Sequence, residues 1–201
     1  MARYTGPKQR LQRHMGEDLG LKTNSVKVQR RLAVPAGQHG KKGRKKVSDY
    51  GTQLREKQKV KIIYGVLEKQ MHKYYLVATK TPASTGAALL KLLERRLDNV
   101  VFRLGFAPTR AAARQLVAHN HVLVNGKKAT IPSILIKVGD VVALTDKTKD
   151  IPFVAALLKD PKAIPAWIER QATSGKVIRY PERDELDYDV DEQLIVEFYS
   201  R

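Results

Sequence analysis

The fold is decided by one short stretch, FAPTRAAARQLVAHNHVLVNGKK at residues 106–128. Pro108 and Thr109 begin a capped helix, and the small apolar residues that follow suit close packing on a second helix. The next residues favour a strand that ends at Asn125-Gly126, a dipeptide that tolerates the positive φ angles of a type I′ hairpin. The stretch therefore predicts a helix followed by a hairpin.

Cations stand at both ends of this predicted unit. Arg110 and Arg114 are i,i+4 neighbours in the first turns of the helix, where unpaired backbone N–H groups and the positive helix end favour a phosphate. Arg103 precedes them, and Lys127 and Lys128 lie beside the hairpin turn. We expect these five side chains to line one concave edge that binds a phosphate backbone. For the arginine pair alone, two solvated surface side chains are the simpler interpretation.

The flanking residues extend the unit. Residues 95–106 predict a helix with an apolar face, and Arg96 and Arg103, seven positions apart, share another face. SILIKVGDVVAL, residues 133–144, predicts a strand, a turn at Gly139-Asp140 and a second strand. A small antiparallel sheet is expected.

The net charge of the chain indicates which kinds of partner it binds. The 201 residues include 38 Lys+Arg against 20 Asp+Glu, a formal net charge of +18, and such a field indicates a polyanionic partner. No stretch approaches the roughly eighteen apolar residues of a membrane-spanning helix, which favours nucleic acid over membrane. Residues 1–61 hold 17 Lys+Arg and 4 Asp+Glu, whereas residues 180–201 hold 2 and 8. The N-terminal third is therefore the main polyanion-facing part.

Cysteine is absent from the chain, which excludes disulfides, thiol nucleophiles and cysteine-ligated zinc. His14 and His39 alone cannot form the usual four-ligand structural site, so we expect no metal and no cofactor. The first twenty residues lack the apolar segment of a signal peptide, and we interpret them as a mature cytoplasmic N-terminus.

The segment RLDNVVFRLGFAPTRAAARQLVAHNHVLVNGKK, residues 96–128, resembles the small RNA-binding module shared by a ribosomal protein, some pseudouridine synthases, certain tyrosyl-tRNA synthetases and a heat-shock protein. The flanks are similar to the fourth protein of the bacterial small ribosomal subunit. They read MARYTGPK, GQHGKKGRKKVSDYGTQLREKQKVKIIYGVLEKQ and EQLIVEFYSR. By this resemblance the chain is identified as a member of that family over nearly its whole length.

The resemblance implies an α+β fold, with a helical subdomain into which the small α/β RNA-binding module is inserted. We expect an extended basic arm over residues 1–46, a helical domain over 47–92 rejoined by 182–201, and the module with its C-terminal extension over 93–181. Within the arm, residues 36–46 combine glycines with cations, which is compatible with a solvated disordered arm and with one that folds on binding. Residues 189–201 fit a helix opened by an Asp189 and Glu192 capping box, although alternation leaves a strand open.

The resemblance also implies a function. The family binds small-subunit ribosomal RNA at a multi-helix junction of its 5′ domain and nucleates assembly of the subunit body. It contacts the fifth small-subunit protein, at an interface that influences decoding accuracy, and its basic arm lies near the messenger RNA entry path. The expected state is a monomer within the ribosome. Many relatives carry a zinc-binding cysteine cluster in the arm, and its absence here predicts no metal.

The expected RNA contacts combine the cations above with positions that match the family. Tyr50, Gln53, Arg55 and Lys59 match family positions facing RNA, although Arg55 and Lys59 also fit a solvated helix face. The full set is Arg3, Lys42, Arg44, Lys45, Lys46, Tyr50, Gln53, Arg55, Lys59, Arg96, Arg103, Thr109, Arg110, Arg114, His119, Asn125, Lys127 and Lys128.

Two other functions compete with this one. The module also occurs in RNA-modifying enzymes, but no aspartate here sits in a Gly-rich or His-containing constellation that suggests catalysis, so we expect no enzyme. Two helices and a hairpin with high charge also fit sequence-specific DNA binding, since charge alone does not distinguish DNA from RNA. The absence of a leucine zipper or a recognition-helix dimer disfavours that alternative.

Overall fold

The structure is a computed structural model that describes residues 3–34, 37–38, 47–82, 84–160, 163–186 and 189–201. In chain order its elements are α1 (Lys8–Met15), α2 (Ser25–Leu32), α3 (Asp49–Ile63), α4 (Glu68–Ala78), α5 (Thr85–Glu94), α6 (Leu97–Arg103), α7 (Arg110–Ala118), β1 (Val122–Val124), β2 (Lys127–Lys128), β3 (Val141–Leu144), α8 (Asp146–Lys149), α9 (Pro152–Lys159), β4 (Ile168–Gln171), β5 (Ser174–Val177) and α10 (Glu192–Tyr199). The mixture of helices with one small sheet confirms the α+β fold class. Within the described ranges, none of the helices has the length and apolar character needed to cross a membrane.

The chain divides into two compact units. The first consists of Met1–Leu89 with Asp189–Arg201, and the second consists of Leu90–Tyr188. The division lies a few residues from the boundaries that the sequence suggests, and those boundaries themselves stay a prediction.

The first unit contains two helices within its N-terminal 34 residues. α1 and α2 bury Met15 and Val28, and Leu19 between the two helices is also buried. The expectation of an extended arm is therefore wrong for residues 8–15 and 25–32, which are helical because these apolar side chains give the basic segment something to pack. The rest of the expected arm lies almost entirely outside the described residues.

Two later helices of the first unit, α3 and α10, begin at side-chain caps. Ser48 caps α3 by accepting a hydrogen bond from the Gly51 amide. Residues 189–201 form a helix, but Asp191 rather than Asp189 caps it, with Asp191 Oδ1 accepting from the backbone N–H groups of Gln193 and Leu194. The predicted capping box is thus wrong, and α10 packs against α3.

The second unit holds the sheet, whose strands run β2-β1-β3-β5-β4 and are all antiparallel. The predicted hairpin is present, since Asn125 and Gly126 have φ values of +50° and +79° and Val124 pairs with Lys127. The packed pair α6 and α7 shares its core with the sheet. Phe106 and Trp167 are the largest apolar side chains in that core.

The predicted strand before Gly139 is wrong. Residues 133–138 form no strand beyond an isolated bridge, because their backbone bonds elsewhere: Ile134 O accepts from Leu97 N, and Ile136 N donates to Arg95 O. β3 pairs instead with β1 and with β5, a strand that lies beyond the predicted motif.

Candidate nucleic-acid interface

Four arginines come together where α5, α6 and α7 meet in the second unit. Arg96 precedes α6 and Arg103 ends it, whereas Arg110 and Arg114 lie on α7. The four arginines form ion pairs with two carboxylates on the neighbouring turns, those of Glu94 and Asp98. We call these six residues, together with Asn99, the arginine cluster.

Glu94 organises one half of the arginine cluster. Its side chain is fully buried, and its carboxylate accepts from Arg103 Nε and Nη2, each at 2.9 Å, and from Asn99 Nδ2 at 2.6 Å. Arg110 Nη2 lies 3.8 Å from the same carboxylate, and Arg110 Nε donates to Asn99 Oδ1 at 2.7 Å. The Arg110 guanidinium lies 4.5 Å from the centre of the Phe102 ring, within cation–π range.

Asp98 organises the other half. Arg96 binds it with two hydrogen bonds, from Nε at 3.0 Å and from Nη2 at 2.7 Å, and Arg114 Nη1 lies 3.9 Å away. Four guanidiniums and two carboxylates thus form one largely buried network in the second unit.

The expected concave edge therefore needs a correction. Arg96 is 1% exposed and Arg103 is 5% exposed, and both direct their guanidiniums at buried carboxylates. This geometry argues against direct RNA contact by either side chain, because a buried carboxylate requires its charged partner. Arg110 and Arg114 are only slightly more exposed, with 9% and 11% of their side chains accessible, and they differ from the other two arginines in lying in the first turns of α7, which begins at the Thr109 cap.

The hairpin carries the most accessible cations expected in this unit. Lys127 and Lys128 are exposed on β2, the edge strand of the sheet. Asn125 is fixed by the turn, since its amide donates to Asp140 Oδ1 and accepts from Val141 N, both at 2.9 Å. His119 is exposed directly after α7.

Two candidates on α3 differ in exposure. Tyr50 is 50% exposed, and its ring centre lies 5.7 Å from that of Phe198 on α10. Gln53 is buried, and its Nε2 donates to the Glu197 carboxylate at 2.9 Å. Tyr50 therefore presents an aromatic face, whereas Gln53 holds α10 against α3.

The two cations on α3 bind within the first unit. Arg55 donates to the backbone oxygen of Met15. Lys59 is buried and lies 2.7 Å from the Glu17 carboxylate and 2.6 Å from the backbone oxygen of Asp189. The solvated helix face is wrong for Lys59, because these oxygens replace water around its ammonium group.

The remaining N-terminal candidates are Arg3 and four cations of the expected arm. Arg3 is exposed. The pKa of Lys8 is lowered, first by burial and then by the positive charges of Lys22 and Arg3. Lys42, Arg44, Lys45 and Lys46 lie outside the described residues. In the part of the chain that the structure describes, no three His, Asp or Glu side chains are grouped to hold a metal ion.

The sequence interpretation missed Glu94, Asp98 and Asn99. A signal was present, since acidic residues alternate with arginines at positions 94, 96, 98 and 103. The alternation alone gives no indication of burial, which converts these side chains from surface charges into an ordered cluster.

Comparisons with known proteins match both units. The chain matches the family models described as "Ribosomal protein S4/S9 N-terminal domain" over residues 3–94 and "S4 domain" over residues 95–142. It is 52% identical over 212 residues to small ribosomal subunit protein uS4 of Herpetosiphon aurantiacus, and 50% identical over 210 residues to that of Aquifex aeolicus. Both alignments cover 100% of this chain and of the relative. The chain belongs to the uS4 family.

Membership of the uS4 family confirms several expectations. The chain is a structural protein of the small ribosomal subunit with an RNA-binding S4 domain, which supports binding to ribosomal RNA. Because uS4 proteins are structural ribosomal proteins, the chain is not an enzyme. The localisation expected from the sequence, in the cytoplasmic small ribosomal subunit, is also confirmed.

Proposed function

We propose that this uS4 protein is a primary binder of small-subunit ribosomal RNA, at the multi-helix junction of the 5′ domain, and that it nucleates assembly of the subunit body. The observation that carries the proposal is the placement of cations in the second unit, with Arg110 and Arg114 in the first turns of α7 and the exposed Lys127 and Lys128 on β2. Guanidiniums that hydrogen bonds hold in place suit a phosphate backbone better than mobile charges do.

In this proposal the protein acts as a polyvalent counter-ion with a defined shape. Arg110 and Arg114 bind phosphates at the start of α7, while Lys127 and Lys128 reach a neighbouring part of the backbone as point charges. In the first unit, Tyr50 offers an exposed ring on which an unstacked base can lie. RNA helices that repel each other are thereby drawn together, which is the physical basis of nucleation.

The remaining residues expected to contact RNA fall into two groups, those proposed to lie on the RNA surface and those that bond within their own unit. Arg3, His119 and the cations at 42–46 belong to the proposed RNA surface, the last four by family resemblance alone. Gln53, Lys59, Arg96, Arg103 and Asn125 serve that surface indirectly, because each bonds within its own unit. Arg55 and Thr109 combine an internal bond with positions beside proposed contacts.

A second surface of the first unit suits a protein partner. The acidic residues around α10, Asp189, Asp191 and Glu197, give this part of the first unit a local negative charge, which repels phosphate. We assign this face to the fifth small-subunit protein, with an influence on decoding accuracy, and we place the basic arm near the messenger RNA entry path. The protein acts there as a monomer within the ribosome.

The test measures binding to a 5′-domain ribosomal RNA fragment, without other ribosomal proteins, against a DNA duplex of equal length at one salt concentration. We expect tighter binding to the RNA, and chemical probing should show protection at the junction. Arg110→Ala and Arg114→Ala should each flatten the slope of log affinity against log salt by roughly one unit. Equal affinity for RNA and DNA would refute the proposal.

A matched control removes the same charge elsewhere in the second unit. Lys147→Ala with Lys159→Ala deletes two exposed cations outside the arginine cluster. The control should leave the salt slope nearly unchanged. An equal loss in control and test would mean that the arginines only add to a diffuse field.

A further inference from the structure

Asn99 lies at the centre of the arginine cluster and carries no charge itself. It is 2% exposed, and its position on α6 places it between Glu94 and Arg110. Its amide nitrogen donates to Glu94 Oε2 at 2.6 Å and to the Glu94 backbone oxygen at 3.0 Å, while its amide oxygen accepts from Arg110 Nε at 2.7 Å. Both ends of the amide are therefore occupied, which fixes its orientation.

Arg110 is consequently held on several sides. Asn99 binds its Nε, the Phe102 ring lies 4.5 Å from its guanidinium carbon, and the Glu94 carboxylate lies 3.8 Å from Nη2. An arginine side chain normally loses considerable rotamer freedom when it binds a phosphate. In this structure that freedom is already removed, because the plane of the guanidinium is set by its neighbours.

We infer that Asn99 is a positioning residue for phosphate binding by Arg110, and that Glu94 in turn fixes Asn99. The inference rests on the proposed function, since it needs Arg110 to contact the ribosomal RNA backbone. A neutral amide suits this position: a carboxylate would cancel positive charge that the phosphate needs, and an apolar side chain would leave Arg110 Nε without its acceptor. Asn99 itself does not touch RNA.

The experiment compares four full-length variants with the wild type: Arg110→Ala, Asn99→Leu, the two combined, and Thr148→Val. Leucine has the same branched arrangement of four side-chain heavy atoms as asparagine and removes all three hydrogen bonds of the amide. Thr148→Val is the matched control, because Thr148 is also buried and hydrogen-bonded in the second unit, to His121, away from the arginine cluster. Affinity for the 5′-domain fragment is measured between about 50 and about 200 mM salt, and circular dichroism gives the folded fraction.

We expect Asn99→Leu to lower the affinity of the folded protein by about tenfold and to flatten the salt slope by up to roughly one unit. In the Arg110→Ala background, Asn99→Leu should change neither quantity, because it acts through Arg110. Thr148→Val should lower the melting temperature without changing the slope. A purely structural role for Asn99 would resemble this control.

Two results separate the failure of this inference from the failure of the proposed contact. If Arg110→Ala weakens binding while Asn99→Leu leaves affinity and slope intact, Asn99 is not a positioning residue, although Arg110 still contacts RNA. If Arg110→Ala has no effect, the phosphate contact itself is wrong, and the inference falls with it.

A measurement on the wild-type protein covers the case in which Asn99→Leu does not fold. Nuclear magnetic resonance gives the hydrogen-exchange rate of each arginine Nε–H group. We expect the Arg110 Nε–H to exchange much more slowly than that of Arg10, which is exposed on α1. Equal exchange rates would overturn the inference, because Asn99 would then not hold the guanidinium in solution.

Discussion

Each unit gathers several helices around one carboxylate, but the two carboxylates differ in burial and in their partners. Glu94 is fully buried and binds Arg103 and Asn99 of the second unit. Glu68 begins α4 in the first unit with its side chain 45% exposed, and it accepts from two lysines of α3, at 3.0 and 3.2 Å, and from Tyr199 of α10 at 2.8 Å.

The difference shows what each arrangement can do. A buried carboxylate with guanidinium partners cannot exchange them for water. It therefore fixes the orientation of the arginine side chains that bind it. A half-exposed carboxylate with ammonium partners is screened by water and salt, so it adds modest stability and tolerates change. The first arrangement suits a preformed phosphate site, whereas the second suits the closure of a helical unit by its C-terminal helix.

The largest effect should come from the same substitution made at both carboxylates. Glu94→Gln should lower the free energy of unfolding by about 3–5 kcal/mol, because it leaves Arg103 buried without its counter-charge. Glu68→Gln should cost about 1 kcal/mol. Urea unfolding measures both. Glu169→Gln is the control, since that exposed side chain makes no ion pair within the described ranges, and equal losses at positions 94 and 68 would remove the distinction.

A smaller effect should appear when the free energy of unfolding is measured against pH, because the Glu68 carboxylate of the first unit titrates. Burial alone would raise the pKa of Glu68, but hydrogen bonds from Lys57 and Tyr199 outweigh it and hold that pKa below its ordinary value of 4.5. The stability that Glu68 contributes is therefore complete above that ordinary value and is lost as the pH falls through the lowered pKa. The difference in unfolding free energy between wild type and Glu68→Gln should shrink accordingly.

The difference between the wild type and Glu68→Gln isolates the titration of Glu68, because the contributions of other titrating groups cancel. Burial raises the pKa of Glu56, an effect of opposite sign that both proteins share. Tyr199→Phe should reproduce only part of that loss near neutral pH, because it removes one of the three hydrogen bonds to the Glu68 carboxylate. A difference that stayed constant down to strongly acidic pH would show that Glu68 is not held in its charged form.

The sequence predicts local features of this fold better than the partners of its charges. Thr109 and the Asn125-Gly126 turn are determined by neighbouring residues, and both predictions are confirmed. The pairing of β3 with β5 was missed because it joins segments some thirty residues apart. Arg103 was predicted at the surface because a cation is usually exposed, and only the buried Glu94, nine positions earlier, reverses that preference.

The smallest change in stability, with a clear change in RNA binding, should come from the two lysines of the hairpin strand β2. Lys127 and Lys128 are exposed on an edge strand and make no ion pair among the described residues. Replacing both with alanine should alter the free energy of unfolding by no more than about 0.5 kcal/mol. The salt slope of ribosomal RNA binding should nevertheless flatten by about two units, because each lysine neutralises one phosphate.

Exchanging lysine for arginine, or the reverse, tests whether the hairpin and the arginine cluster bind phosphate in different ways. Lys127→Arg with Lys128→Arg should keep affinity and slope, because a point charge is all that these positions supply, whereas Arg110→Lys should lose affinity with its Nε donor and its fixed plane. Lysines on an edge strand also prevent pairing with other chains. If the double alanine variant self-associates but binds RNA with an unchanged slope, the hairpin lysines protect the sheet edge, and RNA binding belongs to the arginine cluster alone in this unit.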